Sequence, residues 1–186
     1  PPRSTLFPYT TLSDLVQPHI GSGPESTLEW VLSLGASLAT ELLRDRLRVS
    51  LLGADGVIFR PINGESTGAA ARLLAAVTDV EPSGRAFLED CLADPDALGT
   101  ARTVVAGLGL LHSRDAAALV AATARVADID ALVPDARAFR LPADVVVAHE
   151  KACRLLTTSG WNVATFGPEA TVPQGWGRLV AQREAR

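Results

Sequence analysis

The turn from Gly107 to His112 is the stretch of this chain whose residue types and spacing come closest to a ligand-binding motif. Gly107 and Gly109 follow an apolar run and precede a predicted helix, which is half of a dinucleotide-binding fingerprint. The third glycine position holds His112, and the run is not the first strand of the chain. We therefore expect the glycines to form a tight turn from strand to helix. The alternative is a small-molecule or nucleotide-binding domain that uses this turn.

Two histidines and two aspartates are further candidates for chemistry. His112 lies near a helix N-terminus, where the dipole disfavours its charged form, so we expect a solvated or capping side chain. His149 lies within a predicted helix, and we expect no zinc site there. Asp128 and Asp130 flank Ile129 at a strand start, where paired carboxylates either hold a metal or, as we expect, cap the strand in solvent.

No reaction is predicted from the motifs. We expect neither a hydrolase nucleophile elbow nor a Walker-type phosphate loop. The sequence thus predicts no catalytic residue, no cofactor and no enzyme activity.

Composition limits the class of protein and its partners. The chain has 186 residues, of which 47% are hydrophobic and 20% charged, as in a globular domain. The formal net charge is −4 and no run of Lys or Arg occurs, so we expect no nucleic-acid partner. Cys91 and Cys153 are expected to be buried thiols, with a disulfide as the alternative. No window of 18 apolar residues occurs, so neither a transmembrane helix nor a signal peptide is expected within the chain.

Helical and apolar segments alternate along the chain. Ser26 and Glu29 have the spacing of a capping box, and Gly35 lies in the apolar stripe of the helix that follows, which predicts close approach to a sheet. Short apolar runs at 48–52, 103–108, 129–133 and 162–166 are separated by predicted helices at 66–80, 113–125 and 143–159, and a last helix capped by Thr171 follows. This order predicts an α/β fold, a three-layer α/β/α sandwich with a mostly parallel sheet.

Individual side chains were also assigned to the core. Leu73, Leu74 and Val77 are predicted to face inward from their helix. Trp30 and Trp161 are predicted to be core residues. Trp176, between two glycines, is the candidate for a partner-binding contact, with docking onto its own domain as the alternative.

The first twelve residues differ from the rest. Residues 1–12 have no periodicity, and the string from Ser4 to Leu12 resembles a peptide that arises from translated sequencing adapters in metagenomic assemblies. We expect residues 1–12 to be a non-native or disordered leader, and residues 13–186 to form a single, N-terminally truncated α/β domain.

The segment from Ser26 to Val31 and the segments around Gly107, Trp161 and Trp176 resemble, in order and spacing, the actinobacterial type of the domain-of-unknown-function 58 family. The resemblance runs from about Asp14 to Leu179. It implies a von Willebrand factor A-like (Rossmann-like) domain at the C-terminal end of a membrane-anchored bacterial protein. It also implies a MoxR-type ATPase as partner and a role in assembly or maturation of other proteins.

The resemblance bears on metal binding and on location as well. Metal-binding A domains carry Asp-x-Ser-x-Ser at the end of the first strand, and here only Asp14 corresponds, because the next residues run from Leu15 to Pro18. Asp14 is therefore the one candidate for a metal ligand, and we expect no metal there. The expected location is the cytoplasmic face of the membrane, reached only through N-terminal segments of the full-length protein.

The sequence thus favours a non-enzymatic protein-interaction or scaffold domain. Besides the domain that uses the turn from Gly107 to His112, a degenerate metal-dependent ligand binder that uses Asp14 is the other alternative.

Overall fold

The computed structural model describes residues 3–8, 19–53, 56–60, 68–80, 92, 98 and 101–185. The strands in this part of the chain are β1 (Arg3–Pro8), β2 (Arg48–Gly53), β3 (Gly56–Phe59), β4 (Thr103–Gly107), β5 (Asp128–Pro134) and β6 (Asn162–Phe166). The α-helices are α1 (Thr27–Arg44), α2 (Ala69–Thr78), α3 (Ser113–Ala122), α4 (Ala143–Thr158) and α5 (Val172–Glu184), and a short 3₁₀ helix, Gly23–Glu25, precedes α1.

The described strands form one six-stranded sheet in the order β3-β2-β1-β4-β5-β6. β3 pairs antiparallel with β2 through a register shift at Leu51 and Leu52, and the other neighbouring pairs are parallel. The predicted α/β fold with a mostly parallel sheet is therefore confirmed. The four predicted apolar strands all lie in this sheet.

β1 corrects the expectation of a disordered leader. Arg3–Pro8 lies between β2 and β4 and is parallel to both, with Leu6 opposite Leu51 on one side and Val105 on the other. The physical reason is the backbone: without β1, both β2 and β4 would present unpaired N–H and C=O groups inside the fold. Backbone hydrogen bonds between strands require only an extended chain, so a strand can form without an apolar or alternating sequence pattern. The origin of this string stays a prediction, and residues 9–12 lie outside the described part.

Helices cover both faces of the sheet. On one face, α1, α2 and α5 bury apolar side chains, among them Leu34, Leu73 and Leu179, against alternate strand residues such as Val105 and Leu132. On the other face, α3 and α4 bury Leu119 and Leu156 against the intervening residues of β4 and β5. Because β4 and β5 are covered on both sides, they are continuous apolar runs, as expected of central parallel strands.

The N-terminus of α1 is built as the sequence predicts. Ser26 is the N-cap, and its hydroxyl accepts a hydrogen bond from the Glu29 N–H at 3.2 Å. Gly35 is buried, and α1 packs over β1 and β2. Trp30 stacks on Phe166 of β6 with ring centroids 3.8 Å apart. This contact joins α1 to the edge strand β6 on the same face of the sheet.

Some element boundaries and orientations differ from expectation. α2 begins at Ala69 rather than at residue 66, after Gly68, whose positive φ of 91° favours glycine. Leu74 is 49% exposed, so its predicted inward orientation is wrong, whereas Leu73 is fully buried. The two side chains differ in exposure because successive helical positions are 100° apart and α2 packs along a narrow stripe.

Within the described part of the chain, no helix combines the length and the apolar character that crossing a membrane requires.

Candidate functional site

The carboxyl ends of the parallel strands form the candidate site, because a doubly wound sheet binds ligands where its strand order reverses. Here the order reverses between β1 and β4. The described segments at this edge are residues 19–26 and the connections that follow β4, β5 and β6. We call this region the carboxyl edge.

Gly107 at the end of β4 is explained by packing against α1. A Cβ atom placed on Gly107 would lie 2.8 Å from Cγ1 of Val31, closer than real Cβ contacts. Leu108, Leu110 and Leu111, which follow, are all buried. In the turn that resembles a dinucleotide fingerprint, α1 therefore packs against Gly107, and the residues that follow Gly107 bury apolar side chains.

The N-terminus of α3 already holds a carboxylate. His112 is the exposed N-cap residue, which agrees with the expected solvated position, and its N–H donates to Oδ2 of Asp115 at 3.0 Å. Asp115 is only 8% exposed. A bound phosphate would therefore face a buried negative charge where a nucleotide site offers free N–H groups. Ser113 is the first helical residue, at the predicted start of this helix.

His149 is buried in α4 and bonds the backbone at the ends of two strands. Its Nδ1 atom accepts a hydrogen bond from the Leu111 N–H at 2.9 Å, beyond β4. Its Nε2 atom lies 3.0 Å from the Pro134 carbonyl at the end of β5. Since Nδ1 accepts, Nε2 carries the proton and donates, which assigns the neutral tautomer from the hydrogen bonds. Burial lowers the pKa of His149, and the hydrogen bond to the Pro134 carbonyl opposes this.

Cys153 lies one helical turn from His149, a spacing that the sequence prediction overlooked. Its Sγ atom is 3.5 Å from Nε2 of His149. Cys153 is a free thiol, and burial raises its pKa to about 12. Because the thiolate is the reactive form of cysteine, the pair lacks the activated nucleophile of a cysteine–histidine enzyme. Cys91 lies outside the described residues.

Asp128 and Asp130 lie at the opposite end of the sheet from the carboxyl edge. β5 begins at Asp128, whereas β1 ends at Pro8, in register with Gly107 and Leu132. Asp128 therefore lies four residues before the level of Leu132, or roughly 13 Å at 3.3 Å per residue, and Asp130 lies two residues before it, or roughly 7 Å. These acids do not lie level with the end of β1, which the chain leaves toward Asp14.

Asp130 is engaged within the protein, which corrects the expectation that it caps the strand in solvent, whereas the Asp128 side chain is 46% exposed. Asp130 is 3% exposed and accepts from Nδ2 of Asn162 at 2.8 Å and from Arg183 of α5 at 3.3 Å. Arg183 also pairs with Asp128. This cluster could not be recognised in the sequence, because its members come from three elements far apart in the chain.

Charged side chains beside the carboxyl edge are also paired. Oδ1 of Asp135 accepts the N–H groups of Arg137 and Ala138, which fixes the turn after β5. The Arg137 guanidinium donates to both carboxylate oxygens of Glu150. That hydrogen bond holds the pKa of Glu150 below its ordinary value and raises the pKa of Arg137.

Trp176, the candidate for partner contact, is half-buried on α5. It packs against the clusters beneath both α1 and α2 on that face of the sheet. Part of the side chain stays accessible, and Val180, one turn further along α5, is 38% exposed.

The described residues hold no group of three or more His, Cys, Asp or Glu side chains that could bind a metal. Asp14 belongs to the segment between β1 and α1 and lies outside the described residues.

A serine motif was also missed in the sequence. Gly64 to Gly68 matches the Gly-x-Ser-x-Gly pattern, although only Gly68 lies within the described part. A nucleophile elbow joins a strand directly to a helix. Here β3 ends at Phe59, nine positions before Gly68, and it lies at the antiparallel edge of the sheet. Ser66 itself lies outside the described residues, and no described strand leads directly into α2.

Comparison with known proteins adds no assignment: no protein-family model matches the chain, and no curated protein matches it at significant similarity.

Proposed function

We propose that this chain is a protein-interaction domain of the von Willebrand factor A type, without enzyme activity, in a membrane-associated bacterial protein. It serves as a scaffold on which a MoxR-type ATPase acts during assembly of other proteins. The doubly wound strand order is compatible with an A-type domain, and the resemblance from Asp14 to Leu179 supplies the partner class.

The observation that carries the proposal is that several polar side chains in the described part of the carboxyl edge are engaged in hydrogen bonds within the protein. Asp115 caps α3, His149 bonds the backbone of two connections, and Glu150 pairs with Arg137. Groups that act on a substrate must be available to it. Groups engaged in this way stabilise a fixed surface, which suits recognition of a protein.

The second candidate is a small-molecule or nucleotide-binding domain that uses the turn from Gly107 to His112. Its support is topological, because this turn follows β4 at the point where the strand order reverses. The contact of Val31 with Gly107 and the carboxylate of Asp115 both oppose a phosphate at this position.

Thermal unfolding with added ligands separates these functions. We expect no shift in Tm with Mg²⁺, Mn²⁺, ATP or NAD. A ligand at a hundredfold excess over its Kd would add about 2.7 kcal/mol, or about 5–10 °C for a domain of this size. A nucleotide shift would favour the second candidate. A Mg²⁺ shift that disappears in Asp14→Ala would favour the metal-dependent ligand binder instead.

Direct binding tests the partner. We expect the purified chain to bind a purified MoxR-type ATPase from the same genome in biolayer interferometry. Trp176→Ala should weaken binding about tenfold or more, as loss of an aromatic anchor does. Val147→Ala, at a 61% exposed position on the opposite face of the sheet, is the matched control and should bind like the parent chain. Folded protein that does not bind the ATPase would contradict the partner assignment.

A further inference from the structure

His149 connects two backbone segments that are far apart in sequence. One is the connection between β4 and α3, through the Leu111 N–H, and the other is the last residue of β5, through the Pro134 carbonyl. Both hydrogen bonds are buried, and the His149 side chain is almost inaccessible to solvent. A single imidazole therefore holds two of the strand ends that form the carboxyl edge.

We propose that His149 is a proton-operated latch, which fixes the connection from Leu108 to His112 when neutral and releases it when protonated. The two hydrogen bonds have opposite polarity, and only the neutral ring can make both. Protonation places an N–H group at Nδ1, facing the Leu111 N–H, so that bond is lost. The bond from Nε2 to Pro134 remains. The release is therefore specific to the connection after β4.

The direction of the pH response follows from burial. In the released state water reaches His149 and its pKa returns toward the ordinary value of 6.5, whereas in the closed state burial lowers its pKa. The released state thus binds the proton more readily. The closed connection is fully stable above pH 6.5 and loses stability as the pH falls through the lowered pKa of His149.

Titratable neighbours reach His149 from several elements. Glu150 on the same helix and Asp135 after β5 favour the charged ring, whereas His112 after β4 disfavours it. Cys153 keeps its proton, because burial raises its pKa to about 12. Glu150 already pairs with Arg137. Burial remains the largest influence on the pKa of His149.

Apolar contacts limit how far the connection can open. Leu110 next to Leu111 packs with Ala136 and Val146, and Ile20 borders the same cluster. These contacts do not depend on pH. Protonation should therefore open the connection locally while the sheet and helices stay folded.

Hydrogen exchange resolved by residue tests the latch in the parent chain. Opening measured at the Leu111 amide, corrected for intrinsic exchange, should increase about tenfold per pH unit below 6.5 and level off below the closed-state pKa. Amides of β2 should keep their protection over the same range. Nitrogen chemical shifts of His149 should report the tautomer protonated at Nε2 near neutral pH.

Two variants assign the effect to one histidine. His149→Gln should remove the pH dependence at Leu111, and His112→Gln, which removes the exposed histidine next to Leu111, should retain it. If His149→Gln does not fold, the parent chain supplies the test. The pH range over which His149 titrates must then coincide with the range over which the Leu111 amide opens. Unchanged protection of Leu111 while His149 protonates, or an Nδ1-protonated tautomer, would overturn the proposal.

Discussion

At the scale of single residues, close contacts determine which positions tolerate no side chain. A Cβ atom on Gly175 of α5 would lie 2.7 Å from Cζ2 of Trp30. The Trp30 ring cannot move away, because it stacks on Phe166 and its Nε1 atom donates to the Ala170 carbonyl at 2.6 Å. Glycine at this position lets α5 approach α1.

Gly175→Ala should therefore destabilise the protein. Overpacking of this kind costs about 1–3 kcal/mol, which exceeds the gain of about 1 kcal/mol from replacing a helical glycine by alanine. Chemical denaturation at pH 7 measures the change. Gly177→Ala is the matched control, because nothing lies within 4 Å of its added Cβ, and it should be neutral or stabilising. Equal stability of the two variants would contradict the contact.

At the scale of elements, two helices are fixed to the sheet in different ways. α1 has a glycine, Gly35, among its buried residues, whereas α5 is held at its C-terminal end by the ion pairs of Arg183 with Asp128 and Asp130. Each mode of attachment leads to its own prediction.

Gly35→Leu should destabilise the protein by roughly 1–3 kcal/mol, since a buried position on α1 has no room for four more carbon atoms. Ser37→Leu introduces the same side chain at an exposed position of α1 and should have little effect. Urea unfolding compares the two. If Gly35→Leu proved neutral, α1 would not lie close to the sheet at this point.

Arg183→Ala should cost about 1–3 kcal/mol, because it leaves the buried carboxylate of Asp130 with one donor fewer. Arg44→Ala removes an exposed pair with Glu41 on α1 and should cost at most about 0.5 kcal/mol. Thermal unfolding of both variants at low and high salt gives the comparison. If both variants lost the same stability and both losses disappeared at high salt, solvent would replace Arg183 as the partner of Asp130. That result would contradict the prediction.

At the scale of the whole molecule, β1 joins the two halves of the sheet. β2 and β3 lie on one side of it, and β4, β5 and β6 on the other. Deletion of residues 1–8 should therefore abolish cooperative unfolding, since both halves would expose an unpaired edge. A chain in which residues 4–7 are all valine should still unfold cooperatively. Circular dichroism on heating distinguishes these results. Cooperative unfolding of the deleted chain would show that β1 is dispensable.

Much of the architecture was predictable because its signals are local. Four apolar runs gave the strands of the parallel region, and Ser26 and Thr171 marked the helices that they cap. Buried parallel strands need continuous apolar sequence, and helix starts need side chains that accept from free N–H groups. Both requirements can be recognised within a few residues, so the order of the elements followed from the chain itself.

The tertiary structure alone decided what depends on contacts between distant segments. It put β1 in the middle of the sheet, although that string has no pattern of its own. It also placed Asp130 beneath Arg183 and set His149 between the Leu111 N–H and the Pro134 carbonyl. Sequence spacing carries no record of such partners, because strand order and helix docking, rather than local conformation, bring them together. The candidate site was therefore predictable as a place in the fold, and its internal bonding was not.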